Sequence, residues 1–171
     1  MKIIMKIFLV VAAAYFSVSA QQTTFQDSLL DHIIGKWVLH GTIAEKETTH
    51  DIVAQWVLGH QYLQLHEVSR EKNTTGEAMY EAIVYIGWDQ NTKQYACLWL
   101  DITGGGGLSA QAIGHAELSG DKMAFLFKGT DGSLFHTTFV YDKGSDIWIW
   151  LMDSEENGKL QSFARLKLTR E

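Results

Sequence analysis

The 171-residue chain contains no proline and a single cysteine, Cys97. Without proline there are no stiff polyproline spacers, and nothing in the composition separates one segment from another, which points to one domain. A lone cysteine excludes an internal disulfide, and Cys97 sits in the apolar run Tyr95-Ala-Cys-Leu-Trp-Leu100, where a thiol packs as a small hydrophobe. Long hydrophobic runs are missing too. The longest, Ile7 to Val18, is about a dozen residues, short of the roughly 20 that cross a bilayer as a helix. It follows Lys2 and Lys6 and precedes Val18-Ser19-Ala20, the pattern of a secretory signal peptide over residues 1–20 with Gln21 as the mature N-terminus. Gln21 stands where a lipoprotein would carry its acylated cysteine, so the expected product is a soluble periplasmic or secreted protein with no membrane insertion.

Positive charge is scarce. Losing Lys2 and Lys6 with the leader takes the 14 basic residues to 12 against 20 acidic ones, a formal charge of −8. Such a surface repels nucleic acid and anionic membranes, which removes both from the expected partners. The remaining 151 residues, 21–171, suffice for one domain that buries about two thirds of its unfolded surface without covalent help.

What the chain has in abundance is strand chemistry. One short helix is predicted over Phe25 to Ile34, where Phe25, Leu29, Leu30, Ile33 and Ile34 form a stripe that Gly35 ends. From Lys36 onward, apolar and β-branched runs alternate with turn signals, among them Ser119-Gly120-Asp121, Asp131-Gly132 and Asn157-Gly158. Ten strands are expected, paired as an antiparallel meander. An open sheet of that length would leave two long edges unpaired, and closure into a barrel removes them.

Gly35-Lys-Trp37 after a short helix, with Arg165 in the last strand, resembles the lipocalin and wider calycin pattern. The resemblance implies that Trp37 plugs one end of the barrel and that Arg165 stacks over it, a cation–π contact. A second resemblance rests on Trp56-Val-Leu-Gly59, Tyr62-Leu63, Gly87-Trp-Asp89, Asn91-Thr-Lys-Gln-Tyr95 and Trp99-Leu-Asp101 leading into Gly104-Gly105. These are similar to the exported bacterial family of domain of unknown function 1579 over roughly residues 29–170, which implies a lipocalin-like barrel and no particular chemistry. In shape the chain more distantly resembles the nitrobindin group, ten-stranded barrels that hold haem through one histidine. The Gly-x-Gly and proline pattern of that group's first strand is absent from Lys36-Trp-Val-Leu-His-Gly41, so no cofactor is expected.

None of the seven histidines forms a His-x-His or His-Glu-x-x-His arrangement, and no metal site is expected. His136 is retained as a cavity candidate because it shares a strand face with Leu134 and Val140. Gly104 to Gly107 precedes a strand rather than a helix, which favours a mouth loop over a phosphate cradle. Asp101 and Trp99 share a face beside that loop. Glu81 either faces Asp101 or lies outside. No catalytic residues are assigned. The six tryptophans and their aromatic neighbours exceed what one compact core needs and can wall a pocket, with Trp99, Asp101, His136, Tyr85 and Trp56 as candidate ligand contacts. The leading expectation is a binding barrel for a small apolar or amphipathic molecule. The alternatives are a barrel enzyme or haem protein using His136 or the Glu81 and Asp101 carboxylates, and a solid barrel that binds other proteins.

Overall fold

The computed structural model describes residues 27–104 and 107–171. The leader, Gln21 and Phe25 lie outside the described residues, as do Gly105 and Gly106.

The chain opens with the helix α1 (Ser28–Asp31) and continues as β1 (Gly35–Ile43), β2 (Lys46–Val57), β3 (Tyr62–Ser69), β4 (Glu81–Asp89) and β5 (Gln94–Asp101). A 3-10 turn (Ala110–Ala112) leads into β6 (Ile113–Ala116) and β7 (Leu118–Ser119), then β8 (Lys122–Lys128), β9 (Leu134–Asp142), β10 (Ile147–Glu156) and β11 (Lys159–Arg170). Neighbours pair in the order β6-β5-β4-β3-β2-β1-β11-β10-β9-β8-β7, and a further β6–β8 pairing closes the ring. Since β6 and β7 are one run interrupted at Glu117, the architecture is a ten-stave antiparallel lipocalin-like meander barrel.

The helix is shorter than the apolar stripe suggests. Asp27 caps it, its Oδ1 accepting from Leu29 N at 2.8 Å and Leu30 N at 3.1 Å. After one turn, Ile33 and Ile34 amides bond only three residues back, to Leu30 O and Asp31 O, and the chain leaves through Gly35 at φ +125°. Leu29, Leu30 and Ile33 are nonetheless buried against the end of the barrel. Asn157 and Gly158 both take positive φ in the β10–β11 hairpin, as a tight turn requires. The β1–β2 turn does the same with Ala44 (φ 47°) and Glu45 (φ 65°), where side chains oppose that conformation.

Trp37 plugs this end. Its indole N–H donates to Ile33 O at 2.6 Å and the ring is buried. The cation above it is Arg170, whose guanidinium carbon lies 3.9 Å from the ring centroid, not Arg165. Strand parity explains the exchange. Ala164, Leu166 and Leu168 point into the barrel, so Arg170 shares their face while Arg165 points outward to pair with Asp153 at 2.5 Å. Above the plug the interior is filled by Phe125, Phe139, Trp148 and Trp150, with Phe139 stacked on Trp150 at 4.6 Å.

Candidate functional site

The opposite end is not filled. A cavity of about 760 Å³ lies among the inward faces of the strands and the loops that join them at this end. One side is apolar: Phe127, Phe135, Met152 and Phe163. Gly114 makes room for this wall, since a Cβ there would come within 2.7 Å of the Phe127 ring. Trp99 forms the boundary with the packed interior, its ring 5.3 Å from that of Trp150.

The other side is a polar chain built across β2, β3 and the loop between β3 and β4. On β3, Leu63, Leu65, Glu67 and Ser69 alternate inward, which places the Glu67 carboxylate inside the barrel. On β2 the same parity turns His50 inward with Ile52 and Ala54. His50 Nδ1 meets Glu67 Oε1 at 2.5 Å, with both side chains almost wholly buried. Thr48 donates its only hydroxyl hydrogen to Glu71 Oε2 at 3.0 Å. Its oxygen, 2.7 Å from His50 Nε2, therefore accepts from the ring, while His50 Nδ1 and Glu67 Oε1 share a hydrogen. Glu71 Oε1 accepts from Thr49 N at 2.9 Å.

Tyr80 covers this chain. Its ring stacks on His50 at 5.6 Å, and its hydroxyl accepts from the Trp99 indole N–H at 3.1 Å. Burial pushes the phenol far above its ordinary pKa. The negative charge of Glu67 raises it further and that of Asp101 adds to the effect, against the opposing Trp99 hydrogen bond. Asp101 is held by Thr103, through the backbone N–H at 2.8 Å and through the hydroxyl. Among the described residues one buried acceptor is left over: Glu67 Oε2 has no hydrogen-bond partner.

Of the residues proposed from sequence, Trp99 and Asp101 line this cavity, and Gly104 and Gly107 stand at its mouth. His136, Tyr85 and Trp56 do not line it. The inward face of β9 is the aromatic one, with Thr137, Phe139 and Tyr141 buried, so His136 points outward to Glu155 at 2.8 Å. Tyr85 lies on the outer face of β4, where its hydroxyl accepts from Gln64 at 2.8 Å. Trp56 has inward parity but sits at the plugged end, donating to Asp31 at 2.8 Å and stacking on His60 at 4.1 Å. Glu81 also lies outside, paired with His66 at 2.7 Å. The residues missed are His50, Glu67, Glu71 and Tyr80. A carboxylate and an imidazole each occupying an apolar position of a strict alternation was the signal that marked the first two.

The lining does not fit haem ligation, because the cavity histidine, His50, has both ring nitrogens committed. Among the described residues no group of three or more His, Cys, Asp or Glu side chains could hold a metal ion, and no helix is long and apolar enough to cross a membrane.

The protein is thus a lipocalin-like β-barrel, plugged at one end and hollow at the other. No family model matches the chain, and no curated protein matches it. Among solved structures it is similar to Rv2717c from M. tuberculosis, with a TM-score of 0.53 and 13% sequence identity over 85% of this chain and 98% of that one. That likeness is one of fold.

Proposed function

We propose that this chain is an exported small-molecule-binding barrel that encloses an apolar or amphipathic ligand. The observation that carries the reading is the cavity of about 760 Å³, with an aromatic and Met-lined wall facing a few polar groups. Binding sites for small molecules have that make-up, a predominantly apolar lining with a small number of placed polar atoms. Binding is favoured over acid–base chemistry because the His50 ring has no lone pair directed at a bound molecule. Export rests on the leader, and membership of the domain of unknown function 1579 family on the Gly87 to Asp101 segment; both belong to the same proposal.

The test is titration with a neutral hydrophobic fluorophore. Enhanced emission and saturable quenching of tryptophan fluorescence at one site per chain are expected. Trp99→Ala weakens that binding while leaving the far-UV circular dichroism unchanged. Weak, non-saturating adsorption would overturn the reading.

A further inference from the structure

We propose that the cavity selects a cationic amphiphile, an ammonium group on an apolar chain or ring, with the cation seated against the free oxygen of Glu67 and the apolar part against Phe127, Phe135 and Met152. This rests on the binding reading above and names the class of ligand. Glu67 Oε2 is an inward-facing carboxylate oxygen, cut off from water and without a partner, while the other oxygen of the same group is held by His50. A buried acceptor of this kind is unfavourable until a donor or a cation reaches it, so it favours ligands that bring one.

The surroundings carry the same sign. Glu47, Glu71 and Asp101 line the cavity with Glu67, against Lys46 and His50 as the cationic groups. Glu71 and Asp101 accept hydrogen bonds from Thr48, Thr49 and Thr103, which hold them in place without supplying positive charge. Tyr80 lines the same wall, its ring stacked on His50 and its hydroxyl bonded to the Trp99 indole. An anion brought here would meet an excess of negative charge. A cation would gain the carboxylates and the faces of Tyr80 and Trp99. The opposite wall has no charge to offer, which accounts for the need for an apolar body on the same molecule.

The experiment is displacement of N-phenyl-1-naphthylamine, a neutral probe, by decyltrimethylammonium, decanol and decanoate, each below its micelle concentration. The ammonium is expected to compete at about tenfold lower concentration than decanol, with decanoate weakest. Glu67→Gln should bring the ratio of ammonium to decanol competition close to parity. Should Glu67→Gln not fold, Asp101→Asn should reduce the same preference. Equal displacement by all three compounds, or a preference unaltered in the variants, would overturn the assignment of a cation while leaving the binding barrel standing. Failure of the fluorophore itself to bind saturably would overturn both.

Discussion

Arg170 stacks its guanidinium on the Trp37 ring and at the same time donates to two carbonyls just beyond α1, Ile34 O at 2.6 Å and His32 O at 2.9 Å. A single side chain from the last strand therefore fastens the helix, the plug and the end of the ring. Removing it in Arg170→Ala should lower stability by about 1–2 kcal/mol, the cation–π contact and two carbonyl hydrogen bonds at a partly exposed site. Trp37→Ala should cost roughly 3–5 kcal/mol as a buried aromatic. Arg165→Ala loses an ion pair to Asp153 and hydrogen bonds to Met152 O and Ala164 O but no aromatic contact, and should cost about 1 kcal/mol. Urea denaturation midpoints check these values, and an Arg170→Ala midpoint equal to that of the unmodified protein would contradict the assignment of the plug.

Ala44 and Glu45 hold positive φ without the residues that favour it, at the rim of the cavity beside Ile43 and Lys46. Replacing the pair by Asn-Gly relieves that strain, and the melting temperature should rise by an amount corresponding to about 1 kcal/mol. No gain would mean that contacts of the Glu45 side chain offset the strain.

His50 and Glu67 form a pair that is costly to break from one side. His50→Ala leaves a buried carboxylate alone and should destabilise by about 3–5 kcal/mol, whereas the double replacement His50→Leu with Glu67→Leu should cost less than the sum of its single changes by more than about 1 kcal/mol. Additive effects in the double-mutant cycle would show that the two groups do not depend on each other.

Acid should weaken the fold through carboxyls that titrate low in the native state. Burial alone would raise Glu71, but the hydrogen bonds from its own amide and Thr49, with the Thr48 hydroxyl, hold it below its ordinary 4.5. Asp146 is lowered too, by Arg170 first and then Tyr141. Groups depressed on folding lend stability that is complete above their ordinary values and is lost as the pH falls through the depressed ones. Denaturation midpoints should stay level from pH 7 to about 5 and fall below about 4.5, and Glu71→Gln should make that fall shallower. A midpoint that rises on acidification would contradict the network around Thr48.

The strand count and several turns were legible because Asp131-Gly132 and Asn157-Gly158 interrupt apolar runs where a hairpin must turn. Trp99 and Asp101 were legible as one face of β5, since period-2 alternation needs no knowledge of neighbours. The face of β9 was not, because Leu134 and Val140 make the His136 side as apolar in sequence as the Phe139 side; the choice is made by what lies across the interior, namely Trp150. The polar wall depends on register. Ile52, not His50, stands opposite Glu67 on the neighbouring strand, so the contact is diagonal and arises from pairings that residues 17 apart in sequence do not disclose.

The stave formed by β6 and β7 is matched to β8 at three residue pairs, His115–Leu126, Leu118–Met123 and Ser119–Lys122, whereas β1 and β2 are matched from Gly35 to Ile43. Circumferential cooperativity is therefore uneven. Amides of β6 should exchange with solvent by sub-global opening well before those of β1, β2 and β11, and the partly opened form presents β5 as a bare edge. The same seam lies next to the 3-10 turn that carries Gln111 and Ala112 into the cavity wall, so a bound molecule that braces this turn would also act as a zipper for the barrel. Slowed exchange confined to β6 and its neighbours is the signature such bracing would leave.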